Sequence, residues 1–238
     1  MKKSLKKHQE ERHKGLSRSN VRDIILGFQD GLVNTLGVVL GVASAVQSTQ
    51  IVLISGLVTT FTESISMGAV AYTSTKAARD FYESQVVREK EEIKKIPHME
   101  VEEIRHIYYK KGFRGKQLEN IVKQITSSKK LWLETMMAEE LKLFPEDYEN
   151  PIKNTAIVGL SAVVGALIPV LPFFFLEVKL GMLLALVLSV IALFIVGAVK
   201  SNITIGSWKK SGFEMAIVGT LAALVGYLVG KLLGGIYL

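Results

Sequence analysis

Five stretches, at approximately residues 24–47, 51–75, 152–173, 177–200 and 212–235, each hold twenty or more predominantly apolar residues. A helix that crosses about 30 Å of hydrocarbon needs about 20 such residues at 1.5 Å each, so all five are long enough to span a bilayer. A hydrophobic content of 49% and a mean hydropathy of +0.31 agree with that reading. The polar residues are unevenly placed, with 29 of the 51 charges in residues 77–151. The chain therefore divides into a basic tail (1–23), spans one and two (24–76), a polar insert (77–151) and spans three to five (152–238). It is expected to fold as an all-α membrane protein, with five transmembrane helices and a helical cytoplasmic insert between spans two and three. The sequence has no cysteine, which excludes a disulfide framework, thiolate zinc sites, cysteine-ligated iron–sulfur clusters and thiol catalysis.

Orientation follows the Lys and Arg residues. Lys2, Lys3, Lys6, Lys7, Arg12, Lys14, Arg18 and Arg22 precede the first span, and none lies in the Gln47–Gln50 turn after it. The N-terminus is therefore expected in the cytoplasm. The same alternation puts the insert inside, the Glu177–Lys179 connection outside, and the loop with Lys200, Lys209 and Lys210 inside. The net charge of +7 is then chiefly a topology signal, with membrane lipid and not nucleic acid as the expected surroundings.

An Asp near the centre of a span costs about 2.5–3.5 kcal/mol on translocon scales, so each buried acid needs a reason. Asp30 lies about seven residues into span one, and Glu63 lies near the middle of span two. Because span two returns through the membrane, Asp30 and Met67 are expected at similar depth, on the order of 10 Å from the cytoplasmic end. Asn34 is one turn from Asp30, and Glu63 is one turn from Met67. Neither of these two spans offers a Lys or Arg to neutralise the acids, whereas a divalent cation supplies the missing charge. The alternative is that the acids are protonated or hydrogen-bonded to Thr62, Ser64 or Ser66 and serve only helix packing.

Small residues recur at GxxxG spacing in Gly27/Gly31, Gly37/Gly41, Gly226/Gly230 and Gly230/Gly234, which favours close helix approach within one chain or between two copies. Pro169 and Pro172 are expected to end or kink span three.

The insert reads as helices: a continuation of span two to about Lys95, then about 99–111, 115–127 and 129–143. Glu89/Glu92 and Glu100/Glu103 have i, i+3 spacing, and Met136 and Met137 fall within a turn of Glu140. Carboxylates converging from separate helices bind transition metals, and thioethers add affinity for softer ions, so Fe²⁺ and Mn²⁺ suit this donor set. A solvated face balanced by Lys90, Lys94 and Lys95 is the competing interpretation. Among the four histidines, two close Glu-x-x-His spacings, Glu10/His13 and Glu103/His106. With the first in the basic tail, a di-iron oxidase is disfavoured.

These residues resemble the vacuolar iron transporter family over nearly the whole chain. The resemblance rests on Phe28-Gln29-Asp30-Gly31-Leu32 with Leu36-Gly37, on Glu63-x-x-Ser66-Met67, on Gly165-Ala166-x-Ile168-Pro169-x-x-Pro172, and on Ser207-Trp208-x-x-Ser211-Gly212-x-Glu214. In the insert, the order Glu89, Glu92, Glu100, Glu103, Met136, Met137, Glu140 is similar to the family's cytoplasmic metal-binding set. The resemblance implies a homodimer with a pore at its two-fold axis, and proton-coupled export of Fe²⁺, often also Mn²⁺, from the cytoplasm. It assigns pore ligands to Asp30 and Met67, with Glu63 as a third. These ions are cargo; no permanently bound cofactor is implied. Many relatives carry Gly-Glu-Tyr where this chain has Val70-Ala71-Tyr72, a difference that bears on ion selectivity. With no organelle-targeting signal visible, a prokaryotic cell membrane is expected. The rival from another class is a metal-responsive membrane sensor or scaffold that binds the ion without moving it.

Overall fold

The computed structural model describes residues 18–145, 148, 150–203 and 206–237. The expected basic tail, with His8, Glu10 and His13, falls almost wholly outside them. The described chain is helical: α1 (Arg18–Ala45), α2 (Thr49–Lys95), α3 (Pro97–Lys110), α4 (Gly115–Thr126), α5 (Lys129–Glu139), α6 (Pro151–Val170), α7 (Val178–Ile203) and α8 (Trp208–Tyr237). Five of these, α1, α2, α6, α7 and α8, are long and apolar enough to cross a membrane. The chain forms two compact units, residues 1–72 with 152–238, and residues 73–151. Helix α2 contributes its first half to one and its second half to the other.

In the first unit α1 is the central helix. Leu36, Val39, Leu40 and Ala43 of α1 bury against Val52 of α2, Val170 at the end of α6, Phe173 just after it, Ala185 of α7 and Ala223 of α8. The outward faces are apolar as well. Ile51, Ile54, Val58, Phe61 and Ile65 repeat every three or four residues along α2 and are all exposed, the pattern of a helix whose solvent on that side is lipid. Helix α6 stops directly after Pro169, and the chain continues as a 3₁₀ turn (Leu171–Phe174). The Phe175 and Leu176 N–H groups donate to the Pro172 carbonyl at 3.2 and 3.0 Å.

The GxxxG glycines are used within the chain. A Cβ on Gly27 would strike the Val158 carbonyl, one on Gly31 the Ala162 carbonyl, and one on Gly165 the Phe28 carbonyl, so α1 and α6 touch backbone to backbone. Gly41, Gly226 and Gly230 make the same kind of contact between α1 and α8. Small-residue spacing thus accounts for intrachain packing here. Gly165→Leu is expected to destabilise the bundle by about 1–3 kcal/mol or more, because the obstacle is backbone and cannot rotate away. A lower melting temperature in detergent checks this; an unchanged one would show that α1 and α6 do not touch there.

The second unit has its own core, built from Ile93 of α2, Ile104 of α3, Leu118, Val122 and Ile125 of α4, and Trp132 and Met136 of α5. Pro97 opens α3 at a position where its missing N–H costs nothing. Gly112 (φ 100°) and Gly115 (φ 53°) make the α3–α4 turn in backbone conformations that favour glycine. The Ser128 side chain caps α5 by accepting from the Leu131 N–H. Helix α5 ends at Glu139, earlier than the expected 143. The chain breaks away there through Lys142 at φ 57°, with the Leu141 and Leu143 N–H groups returning to the Met136 and Met137 carbonyls.

Candidate metal centres

The first centre lies in the membrane unit. Asn34 Nδ2 of α1 donates to Glu63 Oε1 of α2 at 2.9 Å. The Asp30 carboxyl, one turn below Asn34, lies beside both of them. Asp30, Asn34 and Glu63 thus form one polar group on two adjacent apolar helices. No Lys or Arg among the described residues pairs with either acid. Ser64, a candidate partner for Glu63, instead donates to the Gly159 carbonyl at 3.2 Å and ties α2 to α6. Met67 is half-buried one turn along α2 from Glu63. Asn34 is exposed on a single copy of the chain, and so are Thr62 and Ser66.

The second centre lies in the insert. Glu89 comes from α2, Glu100 from the first turn of α3 and Glu140 from the residue that ends α5. One carboxylate oxygen from each lies within 4.8 Å of the others. Glu89 and Glu100 are each only 3% exposed, and Glu89 Oε1 and Glu100 Oε2 have no hydrogen-bond partner. Buried carboxylate oxygens without donors are costly unless a proton or a cation neutralises them. Burial pushes Glu89 up to about 8, reinforced by Glu100 and Glu140. Burial, with Glu103 and Glu100 adding repulsion, pushes Glu140 up to about 7. Burial also raises Glu100, against the hydrogen bond it shares with Glu89. The raised values favour protons on this group toward neutral pH, and a divalent ion can take their place.

The other expected insert ligands separate. Glu103 lies against Glu140. Glu92 accepts from Arg88 Nε at 3.1 Å, an exposed ion pair at the edge of the group. Met136 is fully buried in the apolar core with Ile104 and Trp132, whereas the adjacent Met137 is buried outside that cluster. Consecutive helical residues diverge by about 100°, so the two thioethers face different surroundings. Sequence reasoning places Asn34 on the candidate path beside Asp30, and the structure adds its hydrogen bond to Glu63. Its i, i+4 spacing from Asp30 was the available signal.

Together these features define a multi-pass helical membrane protein with acidic centres suited to divalent ions, one in its spans and one in its insert. A profile of the VIT family matches residues 21–231, and the chain belongs to that family, one of iron transporters and not of enzymes. It is 30% identical over 231 residues to vacuolar iron transporter 1 of Arabidopsis thaliana, covering 97% of this chain and 92% of the relative. Vacuolar iron transporter 1 of Oryza sativa subsp. japonica is 32% identical over 225 residues, covering 94% and 89%. The vacuolar iron transporter of Plasmodium falciparum (isolate 3D7) is 32% identical over 241 residues, covering 97% and 87%.

Proposed function

We propose that the protein exports Fe²⁺, and also Mn²⁺, from the cytoplasm in exchange for protons, with Asp30, Asn34, Glu63 and Met67 lining the ion path. The observation that carries this reading is the pair of acids in apolar spans, joined through Asn34, with no Lys or Arg among the described residues paired to either. A cation passing between them supplies the charge they lack. Protons arriving from the far side compete for the same oxygens, discharge the ion and reset the site. The exposure of Asn34, Thr62 and Ser66 on one copy supports a homodimer, because a second copy facing this polar strip removes it from lipid. Glu89, Glu100 and Glu140 collect the ion in the insert, with Glu103 beside Glu140, Met137 one helical turn before Glu140 in the chain, and Glu92 and Met136 acting through charge and packing. The Lys and Arg distribution supports a cytoplasmic insert and N-terminus.

Purified protein in liposomes carrying an internal metal dye and a pH dye tests the proposal. Fe²⁺ and Mn²⁺ are expected to cross with opposite proton movement, and Co²⁺ and Zn²⁺ serve as comparisons. Metal binding without flux would replace the transporter by the sensor or scaffold.

A further inference from the structure

The proposed function leaves the Glu103-x-x-His106 spacing without a role. Glu103 has two settings. It lies against Glu140 of the insert centre, and it also lines an open cavity of about 450 Å³ with His98, Met99, Glu102 and His106. All five lining residues belong to α3 and occupy successive turns of one face. His98, Met99, Glu102 and His106 are exposed, and Met99, at 61% exposure, offers its thioether to water and not to the core. Glu102 pairs with Arg105, whereas no Lys or Arg among the described residues pairs with Glu103.

We propose that this face of α3 is a second, labile transition-metal site: Glu103 and His106 hold the ion, His98 and Met99 offer donors further along the face, and Glu103 passes the ion to the buried carboxylates. The two histidines are about 12 Å apart along the helix, so one ion does not meet both. Each histidine is instead within a turn or so of Glu102 and Glu103, the neighbour spacing on a helix surface. Two protein donors with water completing the shell exchange an ion quickly, as loading requires. The insert carboxylates, with Glu89 and Glu100 buried, suit retention. Imidazole and thioether favour Fe²⁺, Co²⁺ and Zn²⁺ over Mg²⁺ and Ca²⁺, so the surface screens out the abundant hard ions before the all-oxygen centre meets them. The destination of the ion rests on the proposed metal binding by Glu89, Glu100 and Glu140; the imidazole site does not.

The test uses the full chain in detergent, without a histidine tag and in a His8→Ala/His13→Ala background, so that only His98 and His106 supply imidazole. Co²⁺ is the probe. Equilibrium dialysis counts bound ions, nitrogen hyperfine signals report imidazole ligation, and stopped-flow absorbance follows loading. The expected result is an imidazole-ligated ion that survives Glu89→Gln/Glu100→Gln. Adding His98→Ala/His106→Ala should abolish that signal and slow filling of the carboxylate centre about tenfold at limiting Co²⁺, with final occupancy unchanged. Absence of imidazole ligation, or loading at the same rate after both histidines are removed, overturns the proposal. Should Glu89→Gln/Glu100→Gln leave the number of bound ions unchanged, the carboxylate centre fails, while the imidazole signal still decides this site.

Discussion

Asp30→Ala is expected to abolish Fe²⁺ flux into proteoliposomes while the protein still elutes and melts like the parent. The side chain is half-buried beside Glu63 and Asn34 and lies outside the apolar core of α1, so its loss leaves no large cavity. The ion loses one of the two acids that compensate its charge in hydrocarbon. The flux deficit should therefore exceed the about 100-fold that loss of an outer-shell metal partner typically costs. Asn34→Ala is the graded comparison. It removes the 2.9 Å donor to Glu63 but no charge, so a partial loss is expected. Flux unaltered by Asp30→Ala would remove this residue from the path.

Glu89→Gln/Glu100→Gln is expected to lower Mn²⁺ or Fe²⁺ affinity of the insert by at least about 10–100-fold, read by calorimetry on the full chain. It should also change how stability depends on pH. Glu89 is raised from 4.5 to about 8 and Glu140 from 4.5 to about 7. Between those limits the folded protein keeps protons that the unfolded chain has released, so stability falls as pH rises. This contribution is fully present below about 4.5 and lost by about 8. Divalent metal should reverse the loss at the upper end of that window, by about 2.7 kcal/mol at a concentration 100 times Kd. In the Gln variant the slope should flatten and the rescue by metal should disappear. Melting curves at pH 5 and pH 8, with and without Mn²⁺, decide this; an identical slope in parent and variant would show that these carboxyls do not hold the protons.

The two centres differ in how far they can be read from sequence. Acids in apolar spans are conspicuous at Asp30 and Glu63, because hydrocarbon penalises a charge wherever on the helix it points. The insert carboxylates are visible only as spacings, and spacing does not separate Glu89, which is buried, from Glu92, which pairs with Arg88. Met136 and Met137 look equivalent in sequence, yet only Met136 packs in the apolar core. Gly27, Gly31, Gly41 and Gly226 suggest contacts within or between chains equally, and the backbone contacts of α1 with α6 and α8 show intrachain packing.

The sequence by itself determined the five long apolar helices, the helical insert and the presence of acids where acids are costly, since hydrophobic length and composition are local properties of the chain. Only the tertiary structure decided that Asn34 joins Asp30 to Glu63 and that Glu89, Glu100 and Glu140 meet. Which side chains converge depends on the rotation and register of each helix against its neighbours, which hydrophobic length and composition do not fix.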